Sequence, residues 1–180
     1  MMGRLSRALC ALAVAGTMVL CASSEAHGLE LAGTASFGAF QVGTTTMFAV
    51  APGVALRLGP GSGVNLTLQD SFVMFPGPGR FGFDNRVSLG AGYSWPTLDV
   101  DLSAVLSGYW MPACGPTLCG QVMGVAPGAR ARVSYFLHER FGVAVTADVG
   151  WYGGRSLVLP DSTAVTVVMG PVLRWKGTRR

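Results

Sequence analysis

The chain has 180 residues, half of them hydrophobic, 26 of them glycine and only 12% charged, with a formal net charge of +4. A soluble domain carries about a quarter charged residues, so the composition argues against an ordinary solvated surface. So mild a positive charge also excludes nucleic acid as the partner.

The first 26 residues read as a secretory leader. Arg4 and Arg7 give a positive start, an apolar run follows from Ala8 to about Leu20, and Ser24-Glu25-Ala26 offers small residues for cleavage before His27. The run is short for a membrane helix. A lipid-bearing Cys21 is disfavoured by the bulky Leu20 before it. The expected organisation is a leader over 1–26 and one domain over 27–180. Beyond the leader no stretch of about 20 apolar residues occurs, so no helix is expected to span a bilayer.

From residue 29 onward the pattern has the period of a strand, whose side chains alternate between two faces. The first segment, residues 29–42, sets Leu29, Leu31, Ala35, Phe37 and Ala39 against Glu30, Thr34, Ser36 and Gly38. The second, 47–58, sets Phe48, Val50, Val54, Leu56 and Leu58 against Met47, Ala49, Ala51, Gly53, Ala55 and Arg57. The third, 64–74, sets Val64, Leu66, Leu68 and Phe72 against Asn65, Thr67, Gln69 and Ser71. Asp70 falls on its apolar face, which predicts a bulge or a place at the membrane rim. The fourth, 86–95, alternates Val87, Leu89, Ala91, Tyr93 and Trp95 with Arg86, Ser88, Gly90, Gly92 and Ser94. The fifth alternates Val100, Leu102, Ala104, Leu106 and Trp110 with Asp99, Asp101, Ser103, Ser107 and Tyr109. The sixth alternates Met123, Val125, Ala129, Ala131, Val133 and Tyr135 with Gly124, Ala126, Gly128, Arg130, Arg132 and Ser134. The seventh, from Phe141, alternates Phe141, Val143, Val145, Ala147, Val149 and Trp151 with Gly142, Ala144, Thr146, Asp148, Gly150 and Tyr152. The eighth alternates Val165, Val167, Met169, Leu173 and Trp175 with Thr166, Val168, Gly170, Val172 and Arg174.

Most of these eight segments reach the 9–11 residues that a tilted strand needs to cross a bilayer. Their apolar faces hold no Lys, Arg or Glu, and the other faces are small and polar. That is the inverse of a soluble barrel: apolar side to lipid, polar side to the lumen. An arginine at Thr146 is therefore expected to be tolerated far better than one at Val145. Pro52, Pro127 and Pro171 fall inside strands on the outward face. Because proline cannot donate to the ladder, bulges are expected there. Links near 59–63, 94–99 and 136–142 are short, whereas 75–85, 111–121 and 153–163 are longer, the asymmetry of periplasmic turns and outer loops. Only the first outer link, around Gly43–Thr45, is short. Trp95, Trp110, Tyr135, Trp151 and Trp175 lie near strand ends, where aromatic girdles belong.

In pattern the chain resembles the small eight-stranded bacterial outer-membrane barrels, the class of the OmpA and OmpX transmembrane domains, over about residues 29–176. The resemblance implies an all-β, eight-stranded, antiparallel up-and-down transmembrane barrel in the outer membrane of a Gram-negative cell. It also implies dealings with outer-membrane lipid and the barrel assembly machinery. Such barrels commonly end on an aromatic residue; here Trp175 is followed by the basic tail KGTRR.

Inward charges are expected to gather as a luminal network of Glu30, Arg57, Asp99, Asp101, Arg130, Arg132 and Arg174, with Asp99 and Asp101 facing Arg130 and Arg132 from the neighbouring strand. An eight-stranded interior is just wide enough to be filled by side chains, so the network reads as a plug before it reads as an ion path. Cys114 and Cys119, in ACGPTLCGQ, read as a disulfide in an exported chain. A metal site would need further His or Cys nearby, and none is there. His27 and His138 are too isolated for Ser–His–acid chemistry, so no enzymatic activity, metal or cofactor is expected. The expected role is structural or interactive, with outer loops offered to an extracellular partner. A narrow channel and a soluble lipocalin-like barrel are the alternatives.

Overall fold

The computed structural model describes residues 28–43, 45–59, 62–77, 80–114, 119–152 and 162–176. Eight strands occupy them: β1 Leu29–Val42, β2 Thr45–Leu58, β3 Gly63–Gly77, β4 Arg80–Ser94, β5 Leu98–Cys114, β6 Cys119–Phe136, β7 Phe141–Tyr152 and β8 Ser162–Lys176. Each pairs antiparallel with the next, and β8 pairs with β1 to close the barrel. The expected leader lies outside the described residues.

The closure has a measurable stagger. Paired residues lead from Ala32 to Ala55, Gln69, Ser88, Val105, Gly128, Gly150 and Ala164, and return to β1 at Val42. The path comes back ten residues further along the strand. For eight strands at ordinary spacing, that stagger corresponds to a tilt of about 40°.

The alternation resolves as the composition requires. In β7, Phe141, Val143, Val145, Val149 and Trp151 are exposed, while Ala144, Thr146, Asp148 and Tyr152 are buried in the lumen. The same holds round the barrel, where Leu66, Leu102, Val125 and Met169 lie outward and Ser36, Thr67, Ser107 and Thr166 inward. Closure leaves no unpaired edge, which a polypeptide needs in a solvent without hydrogen-bonding capacity.

Four expectations are corrected. No bulge forms at the prolines, since the registers run unbroken through Ala35↔Pro52, Leu106↔Pro127 and Val143↔Pro171. Each proline keeps one neighbour and interrupts the ladder to the other, because its missing N–H affects only the strand that N–H would have faced. Asp70 is neither bulged nor at a rim; it pairs in register with Val54 and Val87. The links at 75–85 and 111–121 are mostly strand, paired out to Gly77↔Arg80 and Cys114↔Cys119. Inward-facing Phe75, Met111 and Val122 hold these extensions by burial, which outweighs the turn propensity of their Pro and Gly neighbours. Consequently Trp110 lies four residues inside the end of β5, where it stacks on Phe83 at 5.5 Å.

The turns at the other end are short. Trp95 N–H donates to the carbonyl of Leu98 at 2.7 Å, and His138 and Phe141 exchange backbone hydrogen bonds at 3.1 and 3.2 Å. At the end shared with the β3–β4 and β5–β6 hairpins, Gly43 takes a positive φ of 56° between β1 and β2, a conformation in which a Cβ would be strained.

Candidate functional site: the charged lumen

Five arginines and five acids face the lumen among the described residues: Arg57, Arg86, Arg130, Arg132 and Arg174 against Glu30, Asp84, Asp99, Asp101 and Asp148. They form two clusters at different heights.

The first lies toward the end where β1 begins and β8 finishes. Arg57 on β2 reaches across the lumen to β5, donating to Asp99 and, at 2.5 Å, to Asp101. It also meets Glu30 on β1 at 3.3 Å. Arg174 on β8 lies 3.8 Å from Glu30 and 3.5 Å from Asp99. The Arg174 guanidinium also covers the Phe136 ring at 3.7 Å and donates to the carbonyl of Glu139. Thr67 donates to Asp101 at 2.9 Å, and Asn65 donates to Ser94 at 2.9 Å. Buried charge is tolerable only when paired and hydrogen-bonded in this way.

The second cluster stands higher. Asp148 on β7 joins two arginines: Arg130 Nε at 2.5 Å and Arg86 at 2.7 Å. Arg86 also holds Asp84 at 2.8 Å, and the Tyr152 hydroxyl donates to Asp84. Arg130 donates to Ser71 at 2.8 Å. A cavity of about 10 Å³ remains beside Arg86, Ser107, Asp148 and Tyr152, room for a single water.

Above this cluster the lumen is apolar. Phe40 packs on Phe75 with ring centroids 4.2 Å apart, Tyr109 on Tyr152 at 4.8 Å, and Met111, Val73 and Val122 complete the layer.

All seven residues expected in the network face the lumen, but the expected pairing is replaced. Asp99 and Asp101 take Arg57 and Arg174, and Arg130 takes Asp148. Arg57 reaches both acids across the lumen from β2, whereas Arg130 takes its direct register partner on the other neighbouring strand, Asp148. Arg132 stands directly beside Asp101 in the register, but Arg57 already occupies that carboxylate. Arg132 keeps one hydrogen bond, from Nε to Ser134 at 3.2 Å, and its two terminal nitrogens are buried without a partner. Its charge still counts. In the first cluster Arg57 and Arg174 face three acids, and Arg132 nearby balances the third. Asp84, Arg86, Asp148 and Tyr152 were missing from the expected network. Arg86, Asp148 and Tyr152 already lay on the inward faces, so the alternation could have found them; Asp84 was hidden in a segment read as a loop. No group of three or more metal-binding side chains occurs among the described residues, and His138 sits in the exposed β6–β7 turn.

No protein-family model matches the sequence, and no curated protein matches it. Solved structures do resemble the fold. Neisserial surface protein A superposes with a TM-score of 0.56 at 12% identity, over 83% of this chain and 97% of that one. The N-terminal β-barrel domain of Pseudomonas aeruginosa OprF gives 0.53 at 14% identity, over 82% and 96%. Ail, the attachment invasion locus protein of Yersinia pestis, gives 0.54 at 10% identity, over 83% and 100%. At such identities the likeness is one of fold, and the fold is the eight-stranded outer-membrane β-barrel.

Proposed function

We propose that the chain is an integral outer-membrane protein with a closed lumen, structural or interactive in role and without enzymatic activity. The observation that carries this reading is the pairing of an apolar outer wall with an interior filled by ion pairs and an aromatic layer. On the outward side, Tyr93, Trp95, Tyr135, Phe141 and Trp175 gather at the end where β1 begins and β8 finishes, as expected of a girdle at a membrane surface. Export would follow cleavage of the leader 1–26, and the barrel assembly machinery would insert the chain. An extracellular partner would meet the far ends of the β3–β4 and β5–β6 hairpins and the segment between β7 and β8.

Three measurements on the same protein test this. Cell fractionation should place it in the outer membrane. It should migrate differently on a gel before and after heating, as a detergent-resistant barrel does. In a planar bilayer it should give no steady single-channel steps. Steady currents would mean that the charges line a water-filled path, with Arg130 and Arg132 as its anion-selecting groups.

The disulfide belongs to the same proposal. Cys114 and Cys119 are direct register partners on β5 and β6. Such pairs bring their Cα atoms to about 4.5–5.5 Å, within the range a disulfide spans. Mass spectrometry of the unreduced protein should show both thiols oxidised, and two free thiols would refute the bridge. Its removal should leave barrel stability nearly unchanged, because the closed ladder already fixes the hairpin.

A further inference from the structure

Asp70 is the eighth of the fifteen residues of β3, midway up the wall, and it points outward. Its in-register neighbours are Val54 and Val87, and Leu68 and Phe72 flank it on the same face. Its carboxyl accepts a hydrogen bond from the backbone N–H of Ser71, but Oδ1 is buried against the wall with no partner. A carboxyl at that height has no headgroup or water within reach, and ionisable groups inside a membrane mark functional sites for this reason. Asn85 also points outward, one strand over and two residues up, opposite Phe72. With the strands tilted by about 40°, that diagonal runs nearly parallel to the barrel axis. Asp70 and Asn85 therefore stand one above the other as a polar line in an apolar wall.

We propose that this line is the contact face for a second copy of the chain, forming a two-fold dimer within the membrane. The inference rests on the membrane reading above. All copies enter a membrane in the same direction, so a two-fold axis relating them must run along the membrane normal. Such an axis brings each residue to its own counterpart at its own height, the isologous arrangement. Asp70 then meets Asp70, and two carboxyls sharing one proton supply one donor and one acceptor. Asn85 meets Asn85, and an amide both donates and accepts. Both members of the line are thus self-complementary. A cation-bearing partner would suit Asp70 but has no match in the neutral amide above it. Val54, Leu68, Phe72 and Val87 surround the carboxyl and would seal the contact.

The test uses the full chain folded into phosphatidylcholine vesicles from donor-labelled and acceptor-labelled pools. Energy transfer should rise to a two-body limit as the protein-to-lipid ratio increases. Asp70→Leu should weaken association roughly tenfold, in line with losing an intramembrane hydrogen bond, while heat-modifiable migration is retained. Asp70→Asn should keep most of the association, since paired amides still bond. A wild-type chain that enters the vesicle wall and stays monomeric overturns the dimer alone, as does equal association of Asp70→Leu. A chain that does not enter the wall overturns the membrane reading itself. Capture of a different membrane protein through Asp70, without self-association, also overturns the proposal.

Discussion

Replacing Arg57 with alanine is expected to destabilise the barrel by about 3–5 kcal/mol, the cost of leaving buried charge without its partner. The figure is large because one guanidinium serves three acids. Without it, Glu30 retains Arg174, Asp99 retains Arg174 at 3.5 Å, and Asp101 retains Thr67. Denaturant unfolding of the protein in lipid vesicles, followed by tryptophan fluorescence, measures the loss. Adding Asp99→Ala should return part of it, because members of one network are not additive. Arg132→Met is the informative contrast. Its terminal nitrogens make no hydrogen bond, so only the Nε bond to Ser134 and its long-range balancing of the acids are lost, and it should cost well under half as much. Equal costs for the two arginines would mean that direct pairing does not order this lumen.

The second large effect lies on the outer wall. Val145 faces outward between Val133 and Met169. Val145→Arg should cost about 2–4 kcal/mol in a bilayer, and Val145→Leu within about 0.5 kcal/mol. Folding yield into vesicles at increasing urea gives the comparison, and equal tolerance of Arg and Leu would place this face away from lipid. The alternation alone predicts that an arginine at Thr146 should be benign. The structure reverses that expectation. Thr146 is only 7% exposed and stands directly opposite Arg132, so a second guanidinium there would bury like charge in a filled space. Thr146→Ser is the tolerated luminal substitution.

The strands were legible because a bilayer makes alternation strict: one misplaced side chain per turn of the pattern is expensive. The eight segments and their faces follow from that constraint alone. What the pattern could not hold was anything decided across the lumen. Arg57 and Asp101 lie on strands that never touch, and only the stagger of the closed sheet brings them to one height. The hairpin extensions were hidden for a related reason. FPGPG reads as a turn until Phe75 is seen to bury against Phe40 of a strand it does not pair with. Asp70 was visible as an exception in the alternation, but its height on the wall required the register on both sides.

The ion pairs that cross the lumen join strands far apart round the circumference: β2 to β5 through Arg57 and Asp99, and β4 to β7 through Arg86 and Asp148. They behave as spokes, and a spoke has a fixed length. A hoop of nine or ten strands would carry these acids beyond an arginine's reach, and a changed stagger would lift them to different heights. The lumen therefore acts as a gauge of the circumference. Strand pairing by itself can be satisfied by many hoop sizes, since each strand sees only its two neighbours. The spokes see across the whole hoop, so the diameter and stagger that the eight strands adopt are held from inside the wall as well as along it.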